Sequence, residues 1–128
     1  MTPVPNNPKR VYCVEDSAGI RARLISELSS IPGVAVVGWA PDAPTASREI
    51  PNLQPDLVIL DLHLAAGSGI DVLRECRACD GATPFVVLTN HSYDVTRNRT
   101  LLAGANAFFD KSTQFDEFFT YTLGLLSQ

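Results

Sequence analysis

Leu57-Val58-Ile59-Leu60 is an unbroken apolar run of strand length, set between Pro55-Asp56 and Asp61. A strand apolar at every position has no side to give to water. It must be covered on both faces, which is the situation of a central strand in a parallel sheet. Pro84-Phe85-Val86-Val87-Leu88 is a second such run, ended by Thr89. Two doubly covered strands in a chain of 128 residues leave few options. Helices must lie on both faces of one sheet, and every connection must cross over.

The rest of the chain has the segments this requires. Residues 1–8 carry three prolines and two asparagines and read as a flexible leader; residues 9–128 read as a single domain. Val11 to Val14 is the first strand, ended by Glu15-Asp16-Ser17. Asp16 or Ser17 caps a helix with Ile20, Leu24, Ile25 and Leu28 on one face, stopped by Pro32-Gly33. Val34 to Trp39 is the second strand. A weak helix follows, with Ala43, Ala46, Ile50 and Leu53 on one face and Pro51 expected to end or kink it. After Asp61 a loop through Gly69 leads to a helix bearing Ile70, Leu73 and Cys76, with Ser68 or Gly69 at its cap. Residues 90–103 form a more polar helix stopped by Gly104. Ala107-Phe108-Phe109 is a short fifth strand, and the last helix places Phe115, Phe118, Phe119, Thr122 and Leu126 on one stripe. Five strands alternate with five helices, so the fold class is α/β with a doubly wound parallel sheet.

Composition excludes several roles. The net charge is −4 and no basic stripe is present, so direct nucleic-acid binding is not expected. No apolar run reaches a membrane span and the N-terminus has no signal-peptide core, so a cytoplasmic location is expected. The cysteines, Cys13, Cys76 and Cys79, are odd in number and form no disulfide framework. Cys76-Arg77-Ala78-Cys79 falls near a helix end and has no second ligand pair for zinc, so packing or exposure accounts for it better than redox or metal chemistry.

In a parallel sheet all strand carboxyl ends share one edge, where ligand sites form. Here those ends carry Glu15-Asp16, Asp61, Thr89 and Asp110-Lys111. Asp61 alone reads equally well as a cap or turn residue. Together, three clustered acids repel one another and call for neutralisation. Mg²⁺ suits carboxylates, a carbonyl and retained waters. A lysine and a threonine hydroxyl suit phosphoryl oxygens, and a carboxylate can accept a phosphoryl group.

These residues, with Gly69 eight positions after Asp61 and a Gly104-Ala105-x-x-Phe108 lead-in to Lys111, resemble the receiver domain of bacterial two-component response regulators. The resemblance implies a flavodoxin-like fold with strand order 2-1-3-4-5. It matches Asp61 to the phosphoacceptor, served by a sensor histidine kinase or a histidine phosphotransfer protein. It matches Asp16 and Asp61 to Mg²⁺ ligands, Glu15 to an acid acting through water, and the main-chain carbonyl of His63 to a further ligand. Thr89 matches the switch hydroxyl, Lys111 the ion-pairing lysine and Phe108 the aromatic that changes rotamer. The implied output face is helix four, strand five and helix five, about residues 91–126, which would meet a protein target or a second copy of the chain.

Some positions depart from the family pattern. Ser112 follows Lys111 where proline is usual, Ala65 stands where many relatives carry proline, and Asn90 follows Thr89 where a smaller residue is common. The resemblance implies that His63 and His91 flank the approach of the hydrolytic water and that Asn90 narrows access to the phosphoryl group; the alternative for both histidines is a plain exposed polar residue, and one that lines the site would modulate the lifetime of a phosphorylated form. The leading expectation is a phosphorylation switch whose output is binding, with no external substrate turned over. The alternative is an interaction module of the same fold that works without phosphorylation. A small phosphatase would need an acid where His63 stands. A flavodoxin would need a Ser/Thr-rich loop where Glu15-Asp16 stands.

Overall fold

The computed structural model describes residues 7–79, 81–90 and 93–127. The strands are β1 (Lys9–Val14), β2 (Val34–Ala40), β3 (Leu57–Leu60), β4 (Phe85–Thr89) and β5 (Ala107–Asp110). The helices are α1 (Ala18–Ser29), α2 (Ala43–Leu53), α3 (Gly69–Cys79), α4 (Asp94–Leu102) and α5 (Phe115–Leu126). All strand pairs are parallel and the sheet order is β2-β1-β3-β4-β5, as the alternation and the resemblance imply.

The sheet divides the core into two layers. Tyr12, Val14, Val58, Leu60, Phe85, Val87 and Phe108 point to one face, where they meet α2, α3 and residues of α4. Val11, Cys13, Leu57, Ile59, Val86 and Leu88 point to the other, against Leu24 and Leu28 of α1 and Phe118 and Leu126 of α5. Successive residues of β3 thus serve opposite layers, which is why none of them is polar. The edge strand β2 is half-buried along most of its length.

Helix boundaries follow local chemistry. Ser17 caps α1, its Oγ accepting the Ile20 amide at 3.4 Å. At α3, Ser68 Oγ accepts the Asp71 amide (3.4 Å) and Asp71 Oδ2 accepts the Ser68 amide (3.3 Å), a reciprocal cap. Helix α2 corrects the sequence reading, because it runs through Pro51 to Leu53. Proline there removes one backbone donor within the last turn. The helix then closes with Gln54, left-handed at φ 49°, donating to the Ile50 carbonyl at 2.9 Å. Gly104, at φ 114°, ends the α4 segment as expected. Helix α4 begins at Asp94, later than the expected 90, and its first expected turn includes two residues outside the described set. Among the described residues no helix is long and apolar enough to cross a membrane.

Candidate functional site

The sheet ladder continues past the strand ends and sets the backbone of the site. The Glu15 amide donates to the Ala40 carbonyl (3.0 Å), the Asp61 amide to Val14 (2.9 Å) and the Lys111 amide to Thr89 (3.0 Å). Residues far apart in sequence are thereby held on one sheet edge. Gly69 belongs to the same construction. The loop after Asp61 folds back so closely that a Cβ at Gly69 would lie 2.3 Å from the Asp61 carbonyl oxygen and 2.9 Å from Leu62 Cα. The Gly69 amide donates to the Leu62 carbonyl at 3.0 Å, so backbone occupies the space a side chain would need.

On this frame the acids converge. One carboxylate oxygen from each of Glu15, Asp16 and Asp61 falls within 4.8 Å of the others. Glu15 and Asp61 are buried, whereas Asp16 is exposed. Lys111 Nζ bridges the buried pair, at 2.5 Å from Glu15 Oε1 and 2.8 Å from Asp61 Oδ2. The other Asp61 oxygen accepts the His63 amide at 3.3 Å, and Glu15 Oε2 accepts the Ser17 amide at 3.2 Å. Burial pushes the Glu15 carboxyl up to about 7, with the Asp61 charge adding to the rise and Lys111 opposing it. Burial works to discharge Lys111, but hydrogen bonds and charges from Asp61 and Glu15 outweigh it, and its pKa is raised. One ammonium therefore does not neutralise the cluster. Hard oxygen donors at this spacing, still short of positive charge, fit a divalent cation such as Mg²⁺.

A cleft of about 220 Å³ opens over this cluster, with Asp16, Asp61, His63, Asn90 and Lys111 in its walls. Thr89 ends β4 with no exposed surface. Phe108 is an inward residue of β5, packed in the core layer under α2 and α3 and only 8% exposed. The structure brings together Glu15, Asp16, Asp61, His63, Asn90 and Lys111. His91, the other expected modulator, lies outside the described residues. Cys13 and Cys76 are buried and Cys79 is exposed, all as free thiols; burial raises the Cys13 thiol to about 12.

The departures from the family pattern have structural counterparts that sequence reasoning missed. The Ser112 amide donates to Asp110 Oδ1 at 2.7 Å and the Thr113 amide to the same oxygen at 3.0 Å, an Asx turn that fixes the chain beyond Lys111. Ser112 Oγ also donates to Asn90 Oδ1 at 3.1 Å, tying the loop after β4 to the loop after β5. The Ala65 amide donates to the Pro41 carbonyl at 3.0 Å, and the Ala43 amide to Ala66 at 2.8 Å, which docks the acceptor loop on the start of α2. The short polar residues Asp110 and Ser112 were the available signal for the turn; the Ala65 contact had none.

Comparison with known proteins agrees with this geometry. The family model of the response regulator receiver domain matches residues 11–122. A protein-glutamate methylesterase/protein-glutamine glutaminase of Geobacter sulfurreducens is 36% identical over 105 residues, which make up 82% of this chain and 28% of that protein. The DNA-binding transcriptional activator DevR/DosR of Mycobacterium tuberculosis is 29% identical over 102 residues, 80% of this chain and 47% of that protein. The chain thus spans less than half the length of these curated relatives. Among solved structures, a LuxR-family two-component response regulator from Aurantimonas sp. SI85-9A1 superposes with a TM-score of 0.86 and 30% identity, covering 94% of this chain and 86% of that one. The response regulator domain of Thermotoga maritima CheB gives 0.81 and 26%, covering 94% and 95%. The acidic strand-end cluster, the 2-1-3-4-5 sheet and the match over residues 11–122 lead to one conclusion: the chain belongs to the response regulator receiver domain family of two-component signalling.

Proposed function

We propose that this receiver accepts a phosphoryl group on Asp61 and switches partner binding in response. The observation that carries the reading is the placement of Asp61: buried at the cleft, 2.8 Å from Lys111 Nζ, inside the three-acid cluster. The donor is the phosphohistidine of a sensor kinase or a histidine phosphotransfer protein. A carboxylate oxygen of Asp61 attacks phosphorus and the N–P bond breaks. Its electron pair stays with the imidazole nitrogen, leaving an acyl phosphate on Asp61. Asp16 and Asp61, with the His63 carbonyl and with Glu15 through water, would hold Mg²⁺, which neutralises phosphoryl charge when bound. Lys111 supplies a fixed cation to the same oxygens, and Thr89 the hydroxyl that moves toward them.

Phosphorylation adds negative charge beside Lys111, which already pairs with two carboxylates. Its redistribution would bias the β4–α4 loop and so the surface of α4, β5 and α5. That surface carries exposed apolar groups, Tyr93 at 76% and Leu102 at 88% exposure, suited to a protein target or a second copy.

The test is the intact mass after incubation with Mg²⁺ and a small phosphodonor, and with a phosphohistidine donor, beside Asp61→Asn. The wild type is expected to gain one phosphoryl group and the variant none. No gain with either donor would overturn the reading. Partner binding that is equal for wild type and Asp61→Ala would instead favour the phosphorylation-independent module.

A further inference from the structure

Arg21 lies outside the acid cluster, yet it touches the peptide that carries Asp16. Its Nη1 donates to the Glu15 carbonyl oxygen at 2.9 Å. That carbonyl belongs to the same planar unit as the Asp16 amide, so its orientation sets the direction in which Asp16 leaves the chain. The guanidinium is itself held by stacking, with Cζ 3.8 Å above the centroid of the Trp39 ring. Trp39 sits on the edge strand β2, paired in register with Cys13, and remains 45% exposed. It is the only tryptophan in the chain. A large aromatic half in water on an edge strand is poorly explained by core packing, and its ring face serves the arginine.

We propose that Arg21, locked by Trp39, is a positioning residue that aims Asp16 at the divalent-cation site. This deepens the metal reading above and rests on it. Asp16 is the exposed member of the three acids, on the short connection between β1 and α1. Glu15 and Asp61 are fixed by burial and by Lys111, so Asp16 is the ligand with the most freedom to lose. The same contact also places a cation close to a site meant for a cation. The two effects of Arg21 on metal binding therefore have opposite signs. Field repulsion alone makes Mg²⁺ bind more tightly when Arg21 is removed. Positioning makes it bind more weakly. The structure favours positioning, because the guanidinium is directed at a carbonyl and stacked on a ring.

The test is calorimetric titration of Mg²⁺ into the metal-free chain, with Trp39 emission followed in parallel. Far-ultraviolet dichroism and a thermal melt of each variant establish that it is folded. Arg21→Ala is expected to raise the Mg²⁺ dissociation constant about fivefold to tenfold, the scale of one hydrogen bond's net contribution. Trp39→Leu changes no charge and is expected to raise it about twofold to fivefold, the scale of an exposed cation–π contact. The double variant is expected to match Arg21→Ala, since the ring acts only through the arginine. Trp39 emission in the wild type should shift on Mg²⁺ addition, and the shift should vanish in Asp16→Asn. Unchanged or tighter binding by Arg21→Ala, or no effect of Trp39→Leu, would overturn the positioning role while leaving the metal reading intact. A wild-type chain that takes up no Mg²⁺ over the millimolar range would overturn both.

Discussion

Lys111 holds Asp61 and Glu15 together. Under the proposed function the same positive charge would meet an arriving phosphoryl group. Glu15 shows how close the balance of charge is. In the unfolded chain it ionises in the usual carboxylate range, and in the folded chain only near 7. A raised folded-state pKa means that its contribution favours the fold at acidic pH and is lost as pH climbs toward 7. Lys111→Met removes the one influence that pulls Glu15 down through an ion pair. The window is then extended upward, because two facing buried carboxylates must share one proton or repel. The variant should be less stable than the wild type throughout, and by a larger margin at pH 8 than at pH 5.5, on the order of 3–5 kcal/mol at the higher pH. Urea unfolding at the two pH values checks this, and an equal margin at both would contradict it. The clustering of these residues was legible in the sequence, because a parallel sheet brings the polar residues at its strand carboxyl ends to one edge. Arg21 and Trp39 were not legible, because a helix arginine and a strand tryptophan carry no sign of which peptide they hold.

Elements buried on both faces were read most accurately. The bounds of β3 match the sequence reading, since Leu57 to Leu60 is apolar throughout and polar residues stand on both sides. Helix α2 was read less well. Pro51 suggested a break, but tertiary packing of Ala43, Ala46 and Ile50 carries the helix one further turn. Packing between elements was legible least of all, and Arg77 is the clearest case. Within the C-x-x-C segment of α3, its guanidinium donates to the carbonyls of Gly104 (2.8 Å from Nη2) and Thr83 (2.6 Å), and to Asn106 Oδ1 (3.1 Å). It also lies 5.0 Å from the Phe85 ring centroid. The cysteines drew attention in the sequence, yet Arg77, one of the two residues between them, fastens α3 to the loops before β4 and β5. Arg77→Ala should lower stability by about 2–3 kcal/mol, given several charge-assisted hydrogen bonds lost at a half-buried position. Chemical denaturation would show it, and a loss below about 0.5 kcal/mol would mean that solvent replaces these contacts at no cost.

At the scale of the molecule, the sheet separates two core layers and gathers every charged group of the site on one edge. The loops of that edge are held by backbone amides. The Ala65 amide reaches Pro41 and the Ala43 amide reaches Ala66, joining two loops, and the Ser112 amide reaches Asp110 within its own turn. Two of these donors stand where many relatives carry proline, which has none. An engineer seeking a hardier protein would borrow those prolines, since a stiffer unfolded chain commonly raises the melting temperature. Here the transplant works in reverse. Ala65→Pro and Ser112→Pro each trade a formed hydrogen bond for unfolded-state entropy, and Ser112→Pro also severs the tie to Asn90. Each should lower the melting temperature by about 3–5 °C, the shift expected for roughly 1 kcal/mol in a domain of this size. Thermal melts of the two variants decide the matter, and a rise in either would show that the amide bond is dispensable. Prolines typical of the family are thus a poor blueprint for this member, whose loops are held by the very donors a proline would remove.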